Sequence, residues 1–139
     1  MVDIEIAINK GRIITNKLLN AEPVYFKDLK PSDIPENISG VYAIFDSSSN
    51  EVLYVGRTKN LRQRLYNNHL HGPKTNARLK KYLVEDKLQK DIMDMNDAKQ
   101  YLKDYCFAKY IVEKDTLRRG KIEGLLSYLL DVRYIHEEH

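Results

Sequence analysis

Residues 40–56 read GVYAIFDSSSNEVLYVG, and this stretch decides the fold. Two apolar, β-branched runs, 41–45 (VYAIF) and 52–55 (VLYV), flank Asp46-Ser47-Ser48-Ser49-Asn50, a cluster of turn formers. The pattern predicts an antiparallel hairpin. With the turn centred on Ser48, Tyr42 stands directly opposite Tyr54. Directly opposed residues share a face, with side chains roughly 5 Å apart. The expectation is therefore two phenols side by side on one face of a sheet.

Outward from the hairpin, the patterning alternates between helical and extended stretches. Residues 3–20 place Ile4, Ile8, Ile14 and Leu18 at loosely helical spacing, with Asn20 as an end. Residues 21–39 hold three of the four prolines and read as an extended connector with a short strand at Val24-Tyr25-Phe26. After Gly56, Thr58 or Asn60 caps a helix to about Asn68, with Leu61 and Leu65 inward. Gly72-Pro73 breaks the chain, and Thr75 or Asn76 caps a second basic helix. Residues 94–105 predict a third helix, capped by Asp94 or Asn96, and 106–112 (CFAKYIV) a further strand. Residues 116–131 predict a last helix on the stripe Ile122, Leu125, Leu126, Leu129 and Leu130. The sum is an α+β class: a small antiparallel sheet of about three strands with flanking helices. The segment 1–38 packs as helix and connector on a domain spanning 39–135.

Composition narrows the function classes. At 139 residues the chain supports one core. Its 42% hydrophobic and 31% charged residues are ordinary for a water-soluble domain. No apolar run approaches the roughly 20 residues that span a bilayer. The N-terminus, with Asp3 and Glu5, does not read as a signal peptide. One cysteine, Cys106, excludes an internal disulfide and a cysteine-based zinc cluster, and fits a reducing, cytoplasmic setting. The net charge of +3 is unevenly spread: residues 57–90 carry ten Lys/Arg against Glu85 and Asp86. A basic block on a near-neutral protein is the footprint of a polyanion, although a solvated lysine face has the same composition. Arg57, Lys59, Arg62, Lys74, Arg78, Lys80 and Lys81 are the candidates to contact it. Phenols, a basic helix and a later helical glutamate together point to phosphodiester chemistry.

With these parts placed, the stretch from Gly40 to Tyr134 resembles the GIY-YIG nuclease domain. Gly40-Val41-Tyr42 stands for the first signature and Tyr54-Val55-Gly56 for the second. Residues 57–65 (RTKNLRQRL) look like the stretch that follows, ending in the family's arginine, here Arg64. Arg119-Gly120-Lys121-Ile122-Glu123 opens the helix with the family's metal-binding glutamate, here Glu123. Gly120, a poor helix residue, leaves open space over that turn for a metal or phosphate.

The resemblance implies an endonuclease that hydrolyses DNA with Mg²⁺, for which Mn²⁺ can substitute. Tyr42 is then the base, Tyr54 positions or assists the nucleophile, and Arg64 contacts the phosphate. Glu123 holds the metal. A phenol of pKa near 10 needs nearby cations to act as a base at neutral pH, and Arg57, Arg64 and a metal would supply them. His69 reads equally as a catalytic helper or a solvent-facing side chain. Glu123 reads otherwise as the partner of Arg119 in a surface ion pair. One departure stands out: where the family often closes with tyrosine and asparagine, this chain has Tyr134 and Ile135, with Asp131 or His136 as substitutes. The alternatives are a non-catalytic nucleic-acid-binding module and an RNA-directed nuclease. Specificity would come from the N-terminal helix, the 72–105 insertion, DNA shape, a partner or dimerisation, as monomer or homodimer.

Overall fold

The run 40–46 forms the central strand of the sheet in the computed structural model, which describes residues 1–73 and 78–135. In chain order the elements are α1 (Ile4–Leu19), β1 (Val24–Tyr25), a 3₁₀ turn (Pro31–Asp33), β2 (Gly40–Asp46) and β3 (Glu51–Thr58). A π-helical segment (Gln63–Leu70), α2 (Arg78–Glu85), α3 (Met95–Tyr105), β4 (Cys106–Val112) and α4 (Thr116–Leu129) follow. The sheet is antiparallel with strand order β1-β4-β2-β3, so it has four strands where about three were expected. The fourth is the two-residue β1, paired to the edge of β4.

Every residue of β2 is buried, which explains its near-continuous apolar run: a strand covered on both faces need not alternate. The period of two still sorts its side chains. Tyr42 and Ile44 enter one core with Phe26, Leu61, Leu65, Leu79, Leu83 and Leu102. Val41, Ala43 and Phe45 enter a second core with Leu18 of α1 and Ile122 and Leu126 of α4. The sheet is thus the middle layer, with the π-helical segment, α2 and α3 on one side and α1 and α4 on the other. Asp3, Asp94 and Asp115 cap α1, α3 and α4, each accepting a backbone N–H three residues on. Each such cap stabilises its helix by about 1 kcal/mol.

The hairpin register differs from the symmetric one. Tyr42 pairs with Gly56 and Ile44 with Tyr54, while Phe45 pairs with Val52 and Asp46 with Glu51. Leu53 is the extra residue, a β-bulge next to a loop of four residues closed by Asn50 at φ 57°. Tyr42 therefore does not face Tyr54 directly. The displacement is two residues, however, and an even displacement leaves both phenols on the same face. They become diagonal neighbours, their rings stacked at 6.3 Å and 24°. The edge of β3 at the bulge is covered: the N–H groups of Arg133 and Tyr134 donate to the carbonyls of Val52 and Leu53. Arg133 and Tyr134 also donate to the Asp86 carboxylate at 2.7 and 2.6 Å, anchoring the segment after α4 to the residue after α2.

The register explains Gly56. The Tyr42 ring lies across it, and a Cβ at position 56 would overlap the phenol hydroxyl. Because that ring is packed in the core, it has nowhere to yield. At Gly124 a Cβ would meet nothing within 4 Å. Gly56→Ala should therefore lower stability by about 1–3 kcal/mol. Gly124→Ala should be neutral or stabilising by up to about 1 kcal/mol. Urea unfolding of both variants checks this, and equal midpoints would contradict the register.

Candidate functional site

One cleft of about 330 Å³ opens on the Tyr42 face of the sheet. The sheet supplies Tyr42, Tyr54 and, near the end of β3, Arg57. Arg64 comes from the π-helical segment, Arg78 from the first residue of α2, and Glu123 and Ser127 from successive turns of α4. Three guanidinium groups thus surround one carboxylate and two phenols. Arg64 and Arg78 make no hydrogen bond or ion pair with the described residues. The Arg57 guanidinium makes a long contact, Nε to Glu123 Oε1 at 3.9 Å, and the Arg57 backbone N–H also faces that carboxylate.

The floor of the cleft is a buried pair. Tyr42, 1% exposed, has its hydroxyl 2.6 Å from Nε2 of His69, itself 2% exposed. Both Tyr42 and Tyr54 meet the imidazole edge-on, with centroids 5.3 and 5.1 Å away. His69 Nδ1 is buried without a hydrogen-bond partner among the described residues. His69 is therefore not the solvent-facing side chain that one reading of the sequence allowed. The helix that carries it is π-helical, a form associated with functional positions. It runs to Leu70, two residues beyond the expected end, with the Asn60 side chain accepting from Gln63 N.

Burial sets the protonation states. Desolvation pushes the Tyr42 phenol well above its usual range. Tyr54 and Glu123 add to the rise, while Arg64 and Arg78 oppose it. Tyr54 is raised for the same first reason, against Arg64 and Arg78. Cations at the site thus fail to offset burial, and both phenols are neutral at pH 7. His69 is held down to about 3, by burial first and then by Arg64 and Lys80, so its imidazole is neutral too. Burial raises the Glu123 carboxyl, with Arg57 and Arg64 opposing.

The basic block divides. Arg57, Lys59 and Arg78 are exposed and Arg64 and Lys81 half-buried; Lys74 lies outside the described residues. Lys80 and Arg62 correct the sequence reading. Lys80 is 3% exposed and donates to the carbonyls of Leu70 and Gly72 at 2.9 and 2.7 Å, closing the end of the π-helical segment. Arg62 donates to Ile34 O and pairs with Glu36 Oε1, each at 2.7 Å, pinning the connector. Neither is free to hold a phosphate.

Two further expectations change. The space over Gly120 is not open: the Arg57 guanidinium fills it, and the missing Cβ lets Arg57 cross α4 toward Glu123. Arg119 does not pair with Glu123. It is buried and donates to Glu113 O, Lys114 O and Thr116 Oγ1, fixing the turn into α4. Ile135 stands outside the cleft, in the hollow beside it, with Asp131; His136 lies outside the described residues. Ser127, one turn from Glu123 at i+4, was given no site role by the sequence reading, although that spacing was the signal for one.

Glu123 is the one carboxylate among the described residues that line this cleft, and so the one such side chain that could hold a metal there. The described residues contain no group of three or more His, Cys, Asp or Glu placed to hold an ion. A single carboxylate in an open cleft fits a hard cation that keeps most of its waters and takes phosphate oxygens, as Mg²⁺ does. It does not fit zinc. No helix among the described residues is long and apolar enough to cross a membrane.

Compared with known families, the chain matches the family model described as GIY-YIG catalytic domain over residues 38–118, more than half its length. The match includes Tyr42, Tyr54, Arg57, Arg64 and His69 and stops short of Glu123. Neither the comparison with curated proteins nor that with solved structures gives a match.

Lys80→Met, which keeps the stem but leaves two carbonyls unpaired, should cost about 1–3 kcal/mol in urea unfolding. Lys81→Met should cost under about 0.5 kcal/mol. Equal, small losses would return Lys80 to the surface.

Proposed function

We propose, from its membership of the GIY-YIG catalytic domain family, which implies nuclease activity, that this protein is a Mg²⁺-dependent endonuclease that cleaves DNA. The observation that carries the reading is the cleft itself. Three arginines and one carboxylate converge on two phenols, one of them hydrogen-bonded to a neutral imidazole. This arrangement meets the needs of phosphodiester hydrolysis: a held phosphate, an activated water and stabilisation of developing charge.

Arg64 and Arg78, without protein partners among the described residues, bind the non-bridging oxygens of the scissile phosphate, and a planar guanidinium does so with two parallel bonds. Arg57 leaves its loose contact with Glu123 to join them. Glu123 would hold Mg²⁺, which when bound supplies charge neutralisation at the phosphate and a lowered pKa for a coordinated water. Mn²⁺ can take the same position. Tyr42 acts as the proton acceptor in concert with His69. Its hydroxyl oxygen receives a proton from the attacking water as its own proton passes to His69 Nε2. The relay matters because burial makes a free phenolate inaccessible at neutral pH. Tyr54, half-exposed beside it, orients the water.

Outside the cleft, Lys59 and Lys81 carry the duplex backbone, contributing affinity without sequence choice. The work is cytoplasmic, at DNA, by a monomer or homodimer with or without a specificity partner.

Cleavage of plasmid, branched and flapped DNA with Mg²⁺ or Mn²⁺ tests the reading. Tyr42→Phe should keep the fold and lower the rate about 10²–10⁴-fold. Glu123→Ala should abolish cleavage and leave binding intact or tighter. Arg64→Ala should damage cleavage strongly and binding mildly, since it touches the phosphate before and during reaction. Wild-type protein that binds DNA and cuts none would instead favour a non-catalytic binding module. Cleavage confined to RNA would move the substrate class.

A further inference from the structure

Beyond Glu123 the cleft continues into a second hollow of about 680 Å³, and Glu123 and Ser127 line both. Its character is the reverse of the first. All three arginines line the first cleft: Arg64 and Arg78 lie near Tyr42, while Arg57, paired with Val41, lies over Gly120 on the α4 side. The hollow's described lining holds no cation, and its only charged groups are the carboxylates of Glu123 and Asp131. Asp131 repels a phosphate from this surface, and the arginines hold it in the first cleft. What extends into the hollow from a bound phosphate is then the uncharged part of the nucleotide.

The surface suits that part. Tyr128, one turn beyond Gly124, is 85% exposed, and Leu129 and Ile135 beside it are exposed as well. An aromatic face among apolar neighbours is a stacking platform for a nucleobase, accepting any base because each has a π-face. Gly124 adds an independent sign. Mid-helix glycine is disfavoured, and here no packing requires it, because a Cβ would meet nothing within 4 Å. The open space it leaves is room for a ligand backbone to pass close to α4.

We infer that this hollow is a nucleobase subsite, in which an unpaired base of the strand held at the arginines stacks on Tyr128 while its sugar passes over Gly124. The inference rests on the nuclease reading above, and it assigns the enzyme a preference for unpaired over fully paired DNA next to the cleavage point. A base within an intact duplex is stacked between its neighbours and does not reach the platform without being extruded.

The test uses the full chain with single-stranded and flapped DNA oligonucleotides carrying one 2-aminopurine, whose fluorescence is quenched on stacking. Binding is followed in EDTA and cleavage in Mg²⁺. Wild-type protein should quench the probe at one position along the strand. Tyr128→Ala should lose that quench and raise KM for flapped substrate about 10-fold with kcat little changed. Tyr128→Phe should retain both. Gly124→Leu, which fills the passage from a second position, should reproduce the loss while urea unfolding shows an intact fold. Retained quench and KM in both Tyr128→Ala and Gly124→Leu would overturn the subsite and leave the nuclease standing. A wild-type protein that neither binds nor cuts any of these oligonucleotides would overturn the nuclease reading and the subsite with it.

Discussion

The hydrogen bond between Tyr42 and His69 is the constraint on which the rest of the structure turns. It joins the central strand to the π-helical segment across 27 residues of sequence, and both partners are buried. For the ring to reach His69 it must lie flat over its cross-strand partner, so that partner is Gly56. For Gly56 to stand opposite Tyr42, the hairpin must absorb an extra residue, which is the Leu53 bulge. The bulge in turn exposes irregular backbone at the sheet edge, and the segment after α4 closes over it at Arg133 and Tyr134. Glycine, bulge, histidine and the covering segment are consequences of one contact.

Electrostatics at the site follow from the same burial. A cleft with three arginines would be expected to favour phenolate, yet both phenols are raised because desolvation outweighs the cations. The imidazole is depressed for the same cause. Passing a proton through Tyr42 avoids a phenolate but leaves a transient positive charge on the buried His69 imidazole, whereas the outer wall, where Arg57 and Glu123 meet solvent, can exchange one charged partner for another.

Much of this was legible in the sequence, and the failures have physical causes. The strands, the last two helices and the shared face of Tyr42 and Tyr54 follow from period and turn chemistry. The direct opposition of the phenols did not survive, because a bulge is a local count of residues that apolar patterning does not record. Counting charges placed Lys80 and Arg62 on a phosphate-binding face, although long basic side chains also cap carbonyls and pin connectors, a choice fixed by tertiary packing. The gap over Gly120 was visible as a missing side chain, but not what filled it, since Arg57 comes from β3, more than sixty residues earlier in the chain. His69 was named as a helper only through the family resemblance, with a solvent-facing side chain as the equal alternative; its pairing with Tyr42 is set by the fold.

The buried neutral pair is the central claim, and His69 reports on it directly. In the unfolded chain a histidine takes a proton below about pH 6.5, while in the folded protein His69 resists until about 3. The native state is therefore favoured fully above pH 6.5 and loses stability as pH falls from there toward 3. Proton and carbon shifts of the imidazole, recorded by NMR from pH 8 to 4, give the decisive measurement. The account predicts that His69 keeps neutral-imidazole shifts over the whole range, and that Tyr42→Phe perturbs them. A His69 that titrates near pH 6.5 and ignores Tyr42→Phe would contradict it.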